Sequence, residues 1–242
     1  VRELLAIQVE SLVWDLAGSD AEGDDDLFSL SIPRLLHLAH GAAKRARLDL
    51  MVLIDDPYSE IIYEERDAFF NLASEARLQD RIAYLFTCSK IHAMSGWRVG
   101  YMIVGDWLRR EVLKVHDATM ICVPRISQNA AIAALGGDGS HVEEFRRTFA
   151  RRRSLICDRL DRLPHVFQYV RPQGAYYVFP RILADHVDSR DFCLRLLNEA
   201  HVTLTPGRAF GPTGEHHVRM TFCVEDEVIE KAFDRLESHF GV

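Results

Sequence analysis

The sequence predicts an α/β fold: a mostly parallel sheet with helices on both faces, followed by a small C-terminal α+β domain. Three observations carry that prediction. Residues 51–54, 82–86 and 101–104 are short apolar runs without polar alternation, as strands buried on both faces require. Residues 35–46 repeat apolar side chains at helical spacing and feed the first of those runs, which is the αβ half of a doubly wound unit. Beyond Pro164 the order changes to strand, helix, strand, strand, helix, which describes a separate compact module. The expected division is 1–150 for a large domain and 151–242 for a small one.

Composition sets the outer limits. The 242 residues are 48% hydrophobic and 27% charged, an ordinary globular balance with enough chain for a large core. A formal net charge of -7 argues against a broad nucleic-acid surface. The 5 cysteines are widely spread, without a Cys-x-x-Cys pair, which points to a reducing cytoplasm rather than a disulfide framework. No apolar run is long enough to span a bilayer and no signal peptide is visible, so no membrane partner is expected. Among the 11 histidines, His37/His40 and His216/His217 are the nearest pairs. Neither brings a third ligand at a persuasive spacing, so no metal site is expected.

Taken in order, residues 1–14 carry apolar positions compatible with a helix or a strand. Residues 18–26 form an acidic, glycine-containing loop. Its consecutive Asp24, Asp25 and Asp26 lack the alternating spacing of a calcium loop. Ser31 suits a helix N-cap, Pro33 a first turn, and Lys44, Arg45 and Arg47 the C-terminal end. The strand at 51–54 ends in Asp55-Asp56-Pro57-Tyr58, and 59–80 reads as a connecting loop or short helix. The strand at 82–86 runs into a connection bearing Lys90, and 101–104 leads out of it. A helix follows from Gly105, then an alanine-rich buried helix at 130–135 behind the break at Pro124. Residues 142–163 form a long amphipathic helix. Arg146, Arg147, Arg151, Arg152 and Arg153 give it a basic face, read as solvated surface. The small domain comprises strands at 175–179, 202–205 and 217–222 and helices at 189–200 and 225–240.

Ligands in open α/β sheets gather beyond the carboxyl ends of strands. Two strand ends here carry chemistry. Asp55 and Tyr58 follow one, and Thr87, Ser89 and Lys90 follow the next. Thr87, Ser89 and Arg98 could together hold a phosphate, through hydroxyl donors and a planar guanidinium fork. Lys90 supplies an amine beside them.

The stretch Thr87-Cys88-Ser89-Lys90, continuing to Gly96-Trp97-Arg98-Val99-Gly100, resembles the lysine motif of the class I/II aminotransferases. These are fold-type I enzymes that use pyridoxal 5'-phosphate (PLP). Their pattern is Ser-x-Ser-Lys followed by Gly-x-Arg-x-Gly, and Thr87 keeps the first hydroxyl. Asp55-Asp56-Pro57-Tyr58 resembles the family's Asp-x-x-Tyr element. Pro206-Gly207-Arg208-Ala209-Phe210-Gly211 resembles its Pro-Gly-x-x-Phe-Gly stretch.

The resemblance implies a PLP-dependent aminotransferase that moves an amino group between an amino acid and a 2-oxo acid through a Schiff base on Lys90. It implies that Asp55 keeps the pyridine nitrogen protonated and that Tyr58 donates to the ring oxygen. Thr87, Ser89 and Arg98 would anchor the phosphate, and Arg219, in a short strand, would grip the substrate carboxylate. Asp56 is given no role. In the family a loop before the helix at 130–135 often faces the partner's active site, which implies a homodimer. The resemblance covers residues 27–242. The family's N-terminal phosphate-binding turn and Asn-Pro loop have no counterpart in this sequence, so the large domain is expected to be incomplete relative to the family. Two alternatives stay open: a PLP-dependent lyase or synthase on the same fold, and a truncated non-catalytic PLP-binding or regulatory relative.

Overall fold

The structure, a computed structural model, describes residues 3–7, 50–63, 72–74, 80–183 and 188–242. The expected acidic loop at 18–26 and the helix after Pro33 lie outside the described residues. The described chain forms two compact units. One holds the described residues up to Glu60 and those from Leu72 to Val142. The other holds residues 61–63 and Glu143–Val242.

The first unit is built on a sheet in the order β1 (Glu3–Ile7), β2 (Leu50–Asp55), β3 (Ile82–Thr87), β4 (Gly100–Val104). β1, β2 and β3 run parallel and β4 runs antiparallel to β3. Each expected strand is present within a residue or two of its apolar run. β1 settles the open choice at the N-terminal end in favour of a strand.

Lys90 departs from the expected plain connection. It lies in a one-turn helix, α1 (Cys88–Ile91), which starts directly from β3. α2 (Asp106–Thr119) and α3 (Arg125–Leu135) follow. The alanine-rich α3 is buried along one face only. Ser127 and Ala131 are buried, while Ile126 is 68% and Ile132 69% exposed. The buried face packs Ala130, Ala131 and Ala134 against Cys88, Met94 and Val99, the residues that flank the lysine turn. Small side chains suit this contact because they let the helix approach closely.

The second unit begins in α4 (Ser140–Leu160), whose first turn holds the division between the units. β5 (Phe167–Gln168) pairs with β7 (Arg181–Ile182), a pairing with no signal in the sequence. β6 (Tyr177–Val178), β9 (Val218–Thr221) and β8 (Thr205–Pro206) form an antiparallel sheet in that order. α5 (Ser189–Glu199) and α6 (Asp226–Phe240) complete it. Phe192, Leu196, Val218, Phe222, Leu160 and Leu236 are among its most deeply buried side chains.

The arginines of α4 correct one expectation. Of the five arginines expected on a solvated face, Arg147 and Arg151 are exposed, but Arg152 and Arg153 are buried, as is Arg159 farther along the helix. Arg152 bonds Asp226 through Nε at 3.0 Å and also pairs with Glu225. Arg159 bonds Glu237 at 2.8 Å and Asp234 at 2.6 Å. Arg153 donates to the Pro172 carbonyl at 3.0 Å and lies over the Tyr63 ring. Buried guanidinium groups need such partners because an unpaired buried charge is costly. The acidic residues of α6 supply most of them, and one sequence window cannot see that pairing. Arg159→Ala should therefore lower stability by about 3 kcal/mol, through lost pairing and lost stem packing. The shift of the urea unfolding midpoint measures it.

Candidate active site

The site residues of the first unit are collected by strand register. β2 pairs with β3 so that Asp55 stands beside Leu85, two residues before Thr87. β3 pairs with β4 so that Thr87 stands beside Gly100, two residues after Arg98. Asp55 thus ends one strand, and Thr87, Ser89 and Lys90 follow the end of its neighbour. Tyr58 lies three residues beyond Asp55, on the segment leaving the same strand end.

Thr87 makes the turn from strand to helix. Its backbone is extended, with φ -122° and ψ 135°, and its Oγ1 accepts from the Ser89 N–H at 3.1 Å. This is an N-cap, which satisfies a backbone donor that the first helical turn leaves without a partner. The same Oγ1 lies 2.8 Å from the Ser89 hydroxyl. Two hydroxyls therefore stand together at the start of the lysine turn. Cys88, between them, points into the core with the Met94 and Val99 side chains, and burial pushes its thiol pKa up. Lys90 is half-buried.

Arg98 is exposed and sits in the left-handed backbone region, with φ 52° and ψ 48°. That conformation is uncommon for a residue with a Cβ and stores strain. Arg98 Nη1 donates to the Ser95 carbonyl at 2.7 Å, which ties the guanidinium back to its own loop. Gly100 is required sterically. A Cβ there would lie 2.4 Å from the Phe86 carbonyl oxygen. Gly96, by contrast, has nothing within 4 Å of the position its Cβ would take.

Asp56, given no role from the sequence, is the buried member of the acidic pair. Its Oδ1 accepts from the Ser59 N–H at 3.0 Å, and its Oδ2 from the Tyr84 hydroxyl at 2.8 Å. The Asp-Pro-Tyr-Ser spacing is the local signal of this turn, since an aspartate often caps the backbone a few residues on. Asp55 is the exposed member. Burial of its carboxyl by surrounding protein, and then the Asp56 charge, raise its pKa above the ordinary 3.8. Two carboxylates so close favour a cation beside them.

His92 caps the lysine turn and bonds through Nδ1 to His141 Nε2 at 2.9 Å. Burial, then His141, lower the His92 pKa against an upward pull from Glu60. Nothing in the local sequence links these two histidines.

Arg219, on β9, belongs to the second unit. It is half-buried. Its guanidinium lies 4.5 Å from the Tyr177 ring centroid and 4.6 Å from that of Phe210. Among the described residues no group of three His, Cys, Asp or Glu side chains could hold a metal ion.

Comparison with known proteins gives a consistent result. The family model for aminotransferase class I and II matches residues 37–236. An aromatic-amino-acid aminotransferase 2 of Thermococcus litoralis is 35% identical over 191 residues, 78% of this chain and 48% of its own length. An aspartate aminotransferase of Thermotoga maritima is 35% identical over 186 residues, 77% of this chain and 46% of its own. Among solved structures, an aromatic aminotransferase from Pyrococcus horikoshii superposes with a TM-score of 0.80 at 32% identity, covering 88% of this chain and 56% of that one. This chain thus spans about half the length of the relatives it matches.

Two outcomes test this geometry. Thr87→Val should cost about 1 kcal/mol of stability through loss of the cap, and Thr87→Ser should restore most of it. In cofactor-free protein, the raised Asp55 pKa means that the folded chain keeps a proton the unfolded chain has released. Stability is therefore lost as pH rises from 3.8 through the raised value. Asp55→Asn should flatten that part of the stability profile, read by urea unfolding from the carboxylate range to neutrality.

Proposed function

The chain belongs to the class I and II aminotransferases, and from that membership we propose that it moves an amino group between an amino acid and a 2-oxo acid with PLP as cofactor. The lysine turn supports this reading best. It sets one amine after paired hydroxyls at a strand's carboxyl end, with a strained arginine on the return strand's approach.

The residues present fit PLP. The Thr87 and Ser89 hydroxyls and the Arg98 guanidinium suit a phosphate dianion. Asp55, crowded by Asp56, suits a protonated ring nitrogen, which would relieve the two carboxylates. When bound, PLP supplies an electron sink for negative charge at the substrate α-carbon. Lys90 Nζ would hold the cofactor covalently and, with its amine free, would serve as the general base for the substrate α-proton. The Tyr58 hydroxyl would donate to the ring oxygen. Arg219 orients the substrate by two parallel hydrogen bonds to its carboxylate.

The protein works as a homodimer in a reducing compartment, in this reading. Exposed Ile126, Ile132 and Leu135 on α3 support the first statement and five thiols the second. No helix among the described residues is long and apolar enough to cross a membrane.

Borohydride reduction of the PLP-loaded protein should leave a phosphopyridoxyl mass on the peptide containing Lys90. Lys90→Ala should lose both that mass and keto-acid formation. A mass on another lysine, or full activity in Lys90→Ala, would overturn the assignment.

A further inference from the structure

The Pro206–Gly211 turn has no role in the chemistry described so far, yet its geometry is tightly specified. A Cβ on Gly207 would lie 2.1 Å from the Gly214 carbonyl oxygen and 2.5 Å from that of His217. The Gly207 N–H donates to His217 O at 2.8 Å, just before β9 begins. Gly211, at φ 118°, turns the chain in a region that favours glycine. Between these two glycines runs one 3₁₀ turn, Gly207–Phe210, whose last side chain reaches Arg219.

The other side of Arg219 is set by sheet register. Tyr177 pairs with Thr221, so Arg219 is its diagonal neighbour on the same face. The guanidinium therefore has an aromatic ring at 4.5 Å and another at 4.6 Å. Phe210 is itself held by the edge of Phe179, at 5.6 Å and 84°. Phe179 in turn stacks on His217 at 5.1 Å and 7°. Burial, then Arg181 and His216, lower the His217 pKa to about 4, so that ring stays neutral at ordinary pH. Among the described residues no carboxylate or carbonyl takes the Arg219 N–H groups.

We propose that Phe210 and Tyr177 are positioning residues that hold the Arg219 guanidinium between their rings, presenting its N–H fork to a substrate carboxylate. The proposal rests on the carboxylate role of Arg219 given above. Rings on the guanidinium attract the cation through their negative faces and leave the in-plane donors available. They restrict a long, many-rotamer side chain before the ligand arrives, so less freedom is lost on binding. The glycine-flanked turn exists, on this reading, to bring Phe210 to that place.

The test uses PLP-loaded protein, one carboxylate ligand and one pair of amine substrates. Propionate binding is measured by calorimetry. Single-turnover conversion of the bound cofactor is compared between L-alanine and ethylamine, which differ by one carboxylate. Phe210→Leu and Tyr177→Leu should each weaken propionate about tenfold and lower the alanine-to-ethylamine ratio by a similar factor. Phe210→Tyr and Tyr177→Phe keep the rings and should recover both values. Phe210→Met keeps apolar bulk without a ring, and should show the loss even where the leucine variant folds poorly. Arg219→Lys tests the underlying role separately. If that variant loses propionate while the ring-less variants bind it normally, the aromatic clamp is wrong and the arginine's role stands. If Arg219→Lys binds propionate normally, the role of Arg219 falls and the clamp with it.

Discussion

The close backbone pairing of Thr87 with Gly100 is the constraint on which the first unit depends. A side chain at Gly100 would collide with the Phe86 carbonyl, so glycine is what lets β4 return against β3 at that point. The pairing is continued by the Cys88 N–H, which donates to Val99 O at 3.2 Å. With both ends of the loop tied there, the ten residues between Cys88 and Val99 have little freedom. They close into one helical turn, a 3₁₀ turn at Ser95–Trp97 and two left-handed residues, Ala93 and Arg98. The lysine and the arginine are thus placed by backbone geometry before any ligand arrives. α3 then seals the loop from behind with alanines.

Much of this was legible in the sequence. The three apolar runs of the first unit each became a strand, because buried strands carry their signal within five or six residues. The lysine motif was legible for the same reason: residues 87–100 contain nearly all of its geometry. The short strands of the second unit were less so. Residues 175–179 and 202–205 read as full strands, yet only Tyr177–Val178 and Thr205–Pro206 pair. Their apolar side chains are demanded by packing rather than by a ladder. Asp56 and Tyr84, 28 residues apart, and His92 and His141, 49 apart, meet only because of tertiary structure. No local window contains such pairs.

The two units solve the problem of buried charge differently. In the second, guanidinium groups are either matched by carboxylates, as Arg152 and Arg159 are by α6, or laid against rings, as Arg153 and Arg219 are. Matching consumes the donors. Stacking does not, and at Arg219 the in-plane donors stay available beside the Tyr177 and Phe210 rings. The sequence shows five arginines in a row of eight positions on α4 but nothing of this division of labour.

β4 carries one more implication. It is the last strand of the sheet among the described residues, and Tyr101, Met102 and Ile103 in succession are all exposed, Ile103 to 57%. Successive side chains of a strand point to opposite faces, so neither face of β4 is covered. Its outer N–H and C=O groups are a template onto which any extended chain can zip. Pairing along this margin therefore competes with native folding when the denatured chain is concentrated. Dilution, or a charged side chain at Met102, would shift that competition toward the native fold.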